Sequence, residues 1–170
     1  VISLAMGSLG LGFLWSELWN LPKHEIIPSI TVGFLTWMFL SGVILESTEC
    51  YLRQQEIVKN LVLPLMFVPC SVFLKHLLSF AHSFLIIIPL LIVYPPNDPL
   101  CVILIIPGLI ISCLTIFFVS VLIAIVSLRF RDIAPLITTI MPMMFFFSPV
   151  LFRVNQIESL KIILLLTTLK

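Results

Sequence analysis

Ionisable side chains are missing from five stretches of this 170-residue chain: no Asp, Glu, Lys or Arg occurs in residues 1–16, 26–45, 76–97, 99–128 or 133–152. A helix needs about 20 consecutive apolar residues to cross the hydrocarbon core of a bilayer, so every stretch but the first is long enough by itself. The first begins at Val1 and is expected to be the second half of a span that starts upstream. A signal peptide would need a basic leader and a small-residue cleavage site, and neither is found there.

Composition agrees with a lipid solvent. Hydrophobic residues make up 61% of the chain and charged residues 10%, with a mean hydropathy of +1.25, whereas soluble domains carry about a quarter charged residues. Nine Lys/Arg against eight Asp/Glu leave a net charge of +1, which excludes a basic nucleic-acid face and an acidic tail alike. Strands of a membrane barrel alternate apolar and polar residues; here the apolar runs are continuous, as in Ile86–Ile88 and Ile103–Ile106. Backbone amides in lipid must be satisfied within their own segment, so the runs are expected to be helices. The fold class is all-α integral membrane, a multi-span helical bundle with spans near 1–16, 26–45, 73–94, 100–128 and 133–152. Prolines at 64, 69, 89, 107, 135 and 142 lie near or inside them and invite kinks.

The connections are short and polar. Glu17–Pro28 reads as an external loop, Pro95–Pro99 as a tight turn and Ser127–Asp132 as another connection. Trp15, Trp19, Trp37, Tyr51 and Tyr94 fall mostly near span ends, where amphipathic rings favour the headgroup layer. If the first span leaves the cytoplasm, Arg53, Lys59, Lys75, Arg129 and Arg131 lie inside, against Lys23, Arg153, Lys161 and Lys170 outside. That balance favours this orientation only slightly under the positive-inside rule.

Polar residues gather in two places. Glu46, Glu49, Arg53, Glu56 and Asn60 recur at spacings of three and four, which puts them on one face of an amphipathic helix over 46–60. Glu49 can pair with Arg53 at i, i+4 and Glu56 with Lys59 at i, i+3. Such a helix either rests on headgroups or docks a soluble partner, and spacing does not separate the two. Arg129-Phe130-Arg131-Asp132 follows the longest uncharged run. The arginines suit a helix end anchored at headgroups, and Asp132 could cap the next helix. Lys75 can snorkel to the interface, and His76 and His82 are read as structural or interfacial histidines. Cys50, Cys70, Cys101 and Cys113 form neither a CxxC pair nor a Cys/His cluster, so they read as small core residues and no metal site is expected. No phosphate-binding G-x-x-x-x-G-K-[ST] loop and no catalytic constellation stand out. Gly7, Gly10 and Gly12 suit close helix approach in lipid.

Five segments, in order, resemble a known family. Ile27-Pro28-Ser29-Ile30-Thr31-Val32-Gly33-Phe34-Leu35-Thr36-Trp37 is similar to a YxPYLxxGLxxW segment that opens a second span. Glu56–Leu65 resembles xxLIKxxxxPL, Lys75–His82 resembles RNLxxFxH, and Leu128–Ile133 resembles xRYRDI, the most specific of these. Phe145–Phe152 resembles FFxSPVxY. These are motifs of the membrane subunit of type-2 ATP-binding-cassette exporters of lipid-linked polysaccharide, such as O-antigen, capsule or teichoic acid.

The resemblance implies a single permease domain over 1–170, an apparent fragment lacking its first half-span and a final span. Leu166–Lys170 departs from the NPLT pattern of the family near that point. It places 46–75 and 129–132 in the cytoplasm, and 95–99 and 153–170 outside, in an inner-membrane protein. It implies a second copy of the chain as partner, an ATP-binding-cassette ATPase subunit carrying ATP and Mg, and a lipid-linked glycan as substrate, with no catalysis in this chain. Glu46, Glu49, Arg53, Glu56, Lys59, Arg129, Arg131 and Asp132 are then the candidates for partner coupling. Trp37, Phe39, Phe145, Phe146 and Phe147 are candidates for the substrate path. Three alternatives stay open: a permease of the same fold for another lipid or drug, an inactive fragment of a permease, and a membrane enzyme acting on lipid-linked sugars.

Overall fold

A computed structural model describes residues 2–18, 22–56, 64–95, 99–148 and 150. Among these, five α-helices follow one another: α1 (Ile2–Leu18), α2 (Lys23–Arg53), α3 (Phe67–Val93), α4 (Pro99–Arg129) and α5 (Ile133–Phe147). Ile26–Arg53, Phe67–Val93 and Pro107–Arg129 are long and apolar enough to cross a membrane, while α1 and α5 are shorter apolar helices. The all-α membrane bundle read from the charge-free stretches is therefore the observed fold, and the chain is a multi-pass membrane protein.

Helix α2 is the hub, packing against α1, α3, α4 and α5. Its sequence explains why. Ile27, Thr31, Leu35, Phe39, Val43, Ser47 and Tyr51 stand at a strict spacing of four and are all buried; in a helix of 3.6 residues per turn that stripe drifts by about 40° per step, so it winds around α2 and meets several neighbours. Leu35, Phe39 and Val43 meet Phe80, Ile86 and Ile87 of α3 and Ile116 of α4 in the main core. Phe39 stacks on Phe80 with centroids 4.9 Å apart. A second cluster joins Cys50 and Tyr51 of α2 to Val68 and Val72 of α3 and Ala124 of α4. Leu78, Leu85, Ile92, Leu114 and Leu122 point outward, as expected where lipid is the solvent.

Hydroxyls within the helices bond backward to their own carbonyls. Thr36 donates to Val32 at 2.8 Å, Ser47 to Val43 at 2.6 Å and Thr115 to Ile111 at 2.8 Å. This satisfies a polar group that lipid cannot. Pro69 and Pro135 occupy first turns, where a missing N–H costs nothing; Pro28, Pro89, Pro107 and Pro142 lie further inside their helices. Gly12 has the close-approach role read from the sequence, since a Cβ built on it would stand 3.2 Å from the Ile27 Cα. Gly7 is looser, and Gly10 faces open space.

Two boundaries differ from the sequence reading. Residues 23–28 belong to α2, not to a loop, because Pro22 supplies an extended residue in front of the helix and its carbonyl accepts the Ile26 N–H at 3.3 Å. At the other end, α2 continues unbroken through Glu46 and Glu49 to Arg53. The charged segment expected as its own helix over 46–60 thus begins as the last turns of α2. At about 1.5 Å per residue the 31-residue helix spans about 46 Å. That exceeds the roughly 30 Å hydrocarbon core, so the helix has length to carry these charges out of it. Residues 57–63, 96–98 and 151–170 lie outside the described residues, and with them the external segment 153–170, the pairing of Glu56 with Lys59, and most of the Pro95–Pro99 turn.

Candidate functional site

Described charged residues occupy only the two ends of the bundle. Glu17 and Lys23 pair at 2.6 Å where α1 meets α2, with the Lys23 ammonium 4.5 Å from the Phe13 ring centroid. The end of α2, the start of α3 and the end of α4 meet at the other end through the Cys50–Tyr51–Val68–Val72–Ala124 cluster. Glu46, Glu49, Arg53, Glu56, Lys75, His76, Arg129, Arg131 and Asp132 all belong there. Seven of the eight residues read as coupling candidates are therefore gathered at one end, and Lys59 lies outside the described residues.

Their arrangement is uneven. Arg53 grips Glu49 with Nη2 2.8 Å and Nε 3.1 Å from the same carboxylate oxygen, both side chains exposed. Glu46 instead turns toward α3. The Lys75 ammonium donates to both its oxygens at 2.7 and 2.8 Å, and His76 Nε2 lies 2.9 Å from Oε2. A carboxylate only accepts, so Nε2 carries the proton in that contact. The Glu46 and His76 side chains are 24% and 21% exposed, against 63% for Lys75, so the first two form the sheltered part of the group. Gly42, one turn before Glu46, makes room for the imidazole. Tyr51 adds a further tie by donating to the Leu65 carbonyl at 2.8 Å.

Glu56 is exposed beyond the turn at Gln54, and Arg129, Arg131 and Asp132 are exposed at and after the end of α4. Asp132 stands at the N-cap of α5 but its side chain makes no capping hydrogen bond. Its own αR backbone (φ −73°, ψ −12°) departs from the extended conformation of capping residues. The capping role expected for it is corrected accordingly; only its carbonyl takes part, accepting from Leu136 N–H at 3.3 Å.

The aromatic candidates separate. Trp37 and Phe145 are neighbours, with centroids 5.7 Å apart, and Phe34 meets the same Phe145 ring edge-on at 5.9 Å. Phe39 is a core residue between Phe73 and Phe80. Phe146 and Phe147 point away from the bundle.

Sequence reasoning missed that Lys75 and His76 belong with Glu46. A signal was present: Glu46 closes the second charge-free stretch just as Lys75 opens the approach to the third. Consecutive antiparallel helices bring such positions to one level. Among the described residues no three His, Cys, Asp or Glu side chains gather as metal ligands. A cavity of about 220 Å³ opens beside His76, lined also by Leu4, Leu35, Phe39, Ser79 and Ser83. The chemistry available at this end is charge pairing.

The chain is similar to the O-antigen export system permease protein RfbA of Klebsiella pneumoniae, 25% identical over a match that covers 88% of this chain. The chain spans 64% of that relative's length. No protein-family profile matches the chain, and no solved structure matches it.

Proposed function

We propose that this chain is the transmembrane subunit of an ATP-driven exporter that moves a lipid-linked polysaccharide across the inner membrane. The similarity of most of the chain to a permease for O-antigen export carries this reading. The charged end of the bundle supports it, because an ATPase partner needs a surface on which to act. Four of the five described Lys/Arg residues, Arg53, Lys75, Arg129 and Arg131, lie at that end and Lys23 at the other. With Lys59 read on this side and Arg153, Lys161 and Lys170 on the other, the whole sequence balances five to four, and the positive-inside rule favours the cytoplasm for this end only slightly. ATP and Mg reside on the partner, and this chain performs no covalent step.

In this mechanism Glu49, Arg53 and Glu56 present mixed charge to the partner from the end of α2, with Arg129, Arg131 and Asp132 beside them. Partner closure on ATP shifts the population of membrane-domain states that differ in access to the glycan. A second copy of the chain supplies the other half of the path, with Trp37 and Phe145 as candidate sugar-stacking surfaces.

The test is genetic. The full-length protein, expressed with its ATPase partner in a bacterium deleted for its own O-antigen permease, is expected to restore polysaccharide on the cell surface. Membrane-inserted protein that restores none, with several lipid-linked glycans offered, would overturn the reading.

A further inference from the structure

Four contacts tie the last turns of α2 to the beginning of α3, and they follow one another along the helices. Tyr51 donates to the Leu65 carbonyl. Cys50 and Tyr51 pack with Val68 and Val72. Glu46 holds Lys75 and His76 at 2.7 to 2.9 Å. The His76 ring lies on Gly42. From 42 to 51 the zipped part of α2 is about 14 Å long.

The apolar contacts are non-directional and permit one helix to slide or roll on the other. The Glu46 contacts do not: a carboxylate that accepts from two successive residues fixes both register and rotation, and charge-assisted hydrogen bonds weaken steeply with distance. Glu46 is also partly sheltered, its side chain 24% exposed. By contrast, Glu49 and Arg53 pair within α2 and stay exposed, so they leave that helix's charged surface free for contact.

We propose that the end of α2 and the start of α3 form one rigid lever, and that Glu46 is the positioning residue that makes both spans move together. A force applied at Glu49 and Arg53 then reaches α3 as well as α2 without slippage. The transport consequence rests on the exporter function proposed above; the joining of the two helices does not.

Two measurements on the full-length protein test this. The first is a thermal double-mutant cycle in detergent with Glu46→Ala, His76→Ala and the pair. The drop in melting temperature for the pair is expected to be clearly smaller than the sum of the two single drops, because each single variant already breaks the shared contact. Strictly additive drops would overturn the joining. The second uses proteoliposomes with the ATPase partner and a lipid-linked glycan. Lys75→Glu is expected to lower glycan moved per ATP hydrolysed by up to about fivefold, the scale of an ion pair with one solvent-exposed partner. The exchanged pair Glu46→Lys/Lys75→Glu is expected to recover most of it. Wild-type glycan per ATP in Lys75→Glu would overturn the lever. Should Lys75→Glu fail to fold, Lys75→Met removes the charge while keeping the stem, and the same criterion applies. Transport absent even from the wild type would count against the exporter function, leaving the melting cycle as the test of the joining.

Discussion

The imidazole of His76 occupies the space in which a side chain at Gly42 would begin. A Cβ built on Gly42 would stand 2.8 Å from both Cε1 and Nδ1 of that ring. The same ring reaches Glu46 at 2.9 Å through its other nitrogen. The glycine on α2 and the histidine on α3 thus set the distance between the two helices where the sheltered carboxylate sits.

Gly42→Ala is therefore expected to drive the ring off α2, break the Glu46–His76 contact and destabilise the protein by about 1–3 kcal/mol, the range for overpacking a filled site. In a His76→Ala background the same change should cost almost nothing, since the clash partner is gone. Melting temperatures of the four proteins in one detergent check this.

Glycines along α1 should divide by what they face. Gly12→Val is expected to lower the melting temperature, because its side chain meets the Ile27 backbone, which cannot rotate aside. Gly10→Ala meets open space and is expected to leave stability unchanged or raise it by up to about 1 kcal/mol through helix propensity.

The helix inventory was legible in the sequence because charged residues are so costly in lipid that their spacing marks the spans. The Glu49–Arg53 pair was legible too, being local at i, i+4. What the sequence hid is mostly long-range. Glu46 and His76 are thirty residues apart; the ends of consecutive charge-free stretches bring them to one level, but nothing in a local pattern chooses Lys75 and His76 over Arg53 or Lys59 as partners for Glu46. The continuity of α2 through its charged turns was hidden for another reason: the polar pattern starts where the apolar one ends, and both share the helical period. For Phe39, a candidate for the substrate path whose more expected role is helix packing, the place in the spacing-of-four stripe from Ile27 to Tyr51 is a core position.

That burial gives a contrast among the aromatic candidates. Phe39→Ala is expected to cost about 3–5 kcal/mol, as for a large core aromatic. Phe147→Ala, at 85% exposure, should leave the melting temperature nearly unchanged. An equal loss at both positions would contradict the assignment of Phe39 to the core.

Charge reversal at the exposed pair should separate docking from folding. Arg53→Glu breaks a surface ion pair worth about 0–1 kcal/mol, so membrane insertion and melting temperature are expected to hold. Partner-stimulated ATP turnover is expected to be lost. Unchanged turnover would remove Arg53 from the partner surface.

Orientation follows from labelling. Single cysteines in place of Lys23 and Arg131, in a background without the native cysteines, are expected to react with a membrane-impermeant maleimide from opposite sides of intact cells. Arg131→Cys should label only after the inner membrane is opened, and Lys23→Cys before. Labelling of both from one side would contradict the assignment of the two charged ends to opposite faces.

Under the function proposed above, this bundle carries a lipid-linked glycan when an ATPase partner drives it. The most direct measurement is glycan translocation in proteoliposomes holding the full-length protein and that partner, with the glycan loaded in the leaflet facing the ATPase. Translocation is expected to require ATP hydrolysis and to stop with a non-hydrolysable analogue. Translocation at the same rate without ATP, or ATP turnover by an assembled complex that moves no glycan, would contradict it.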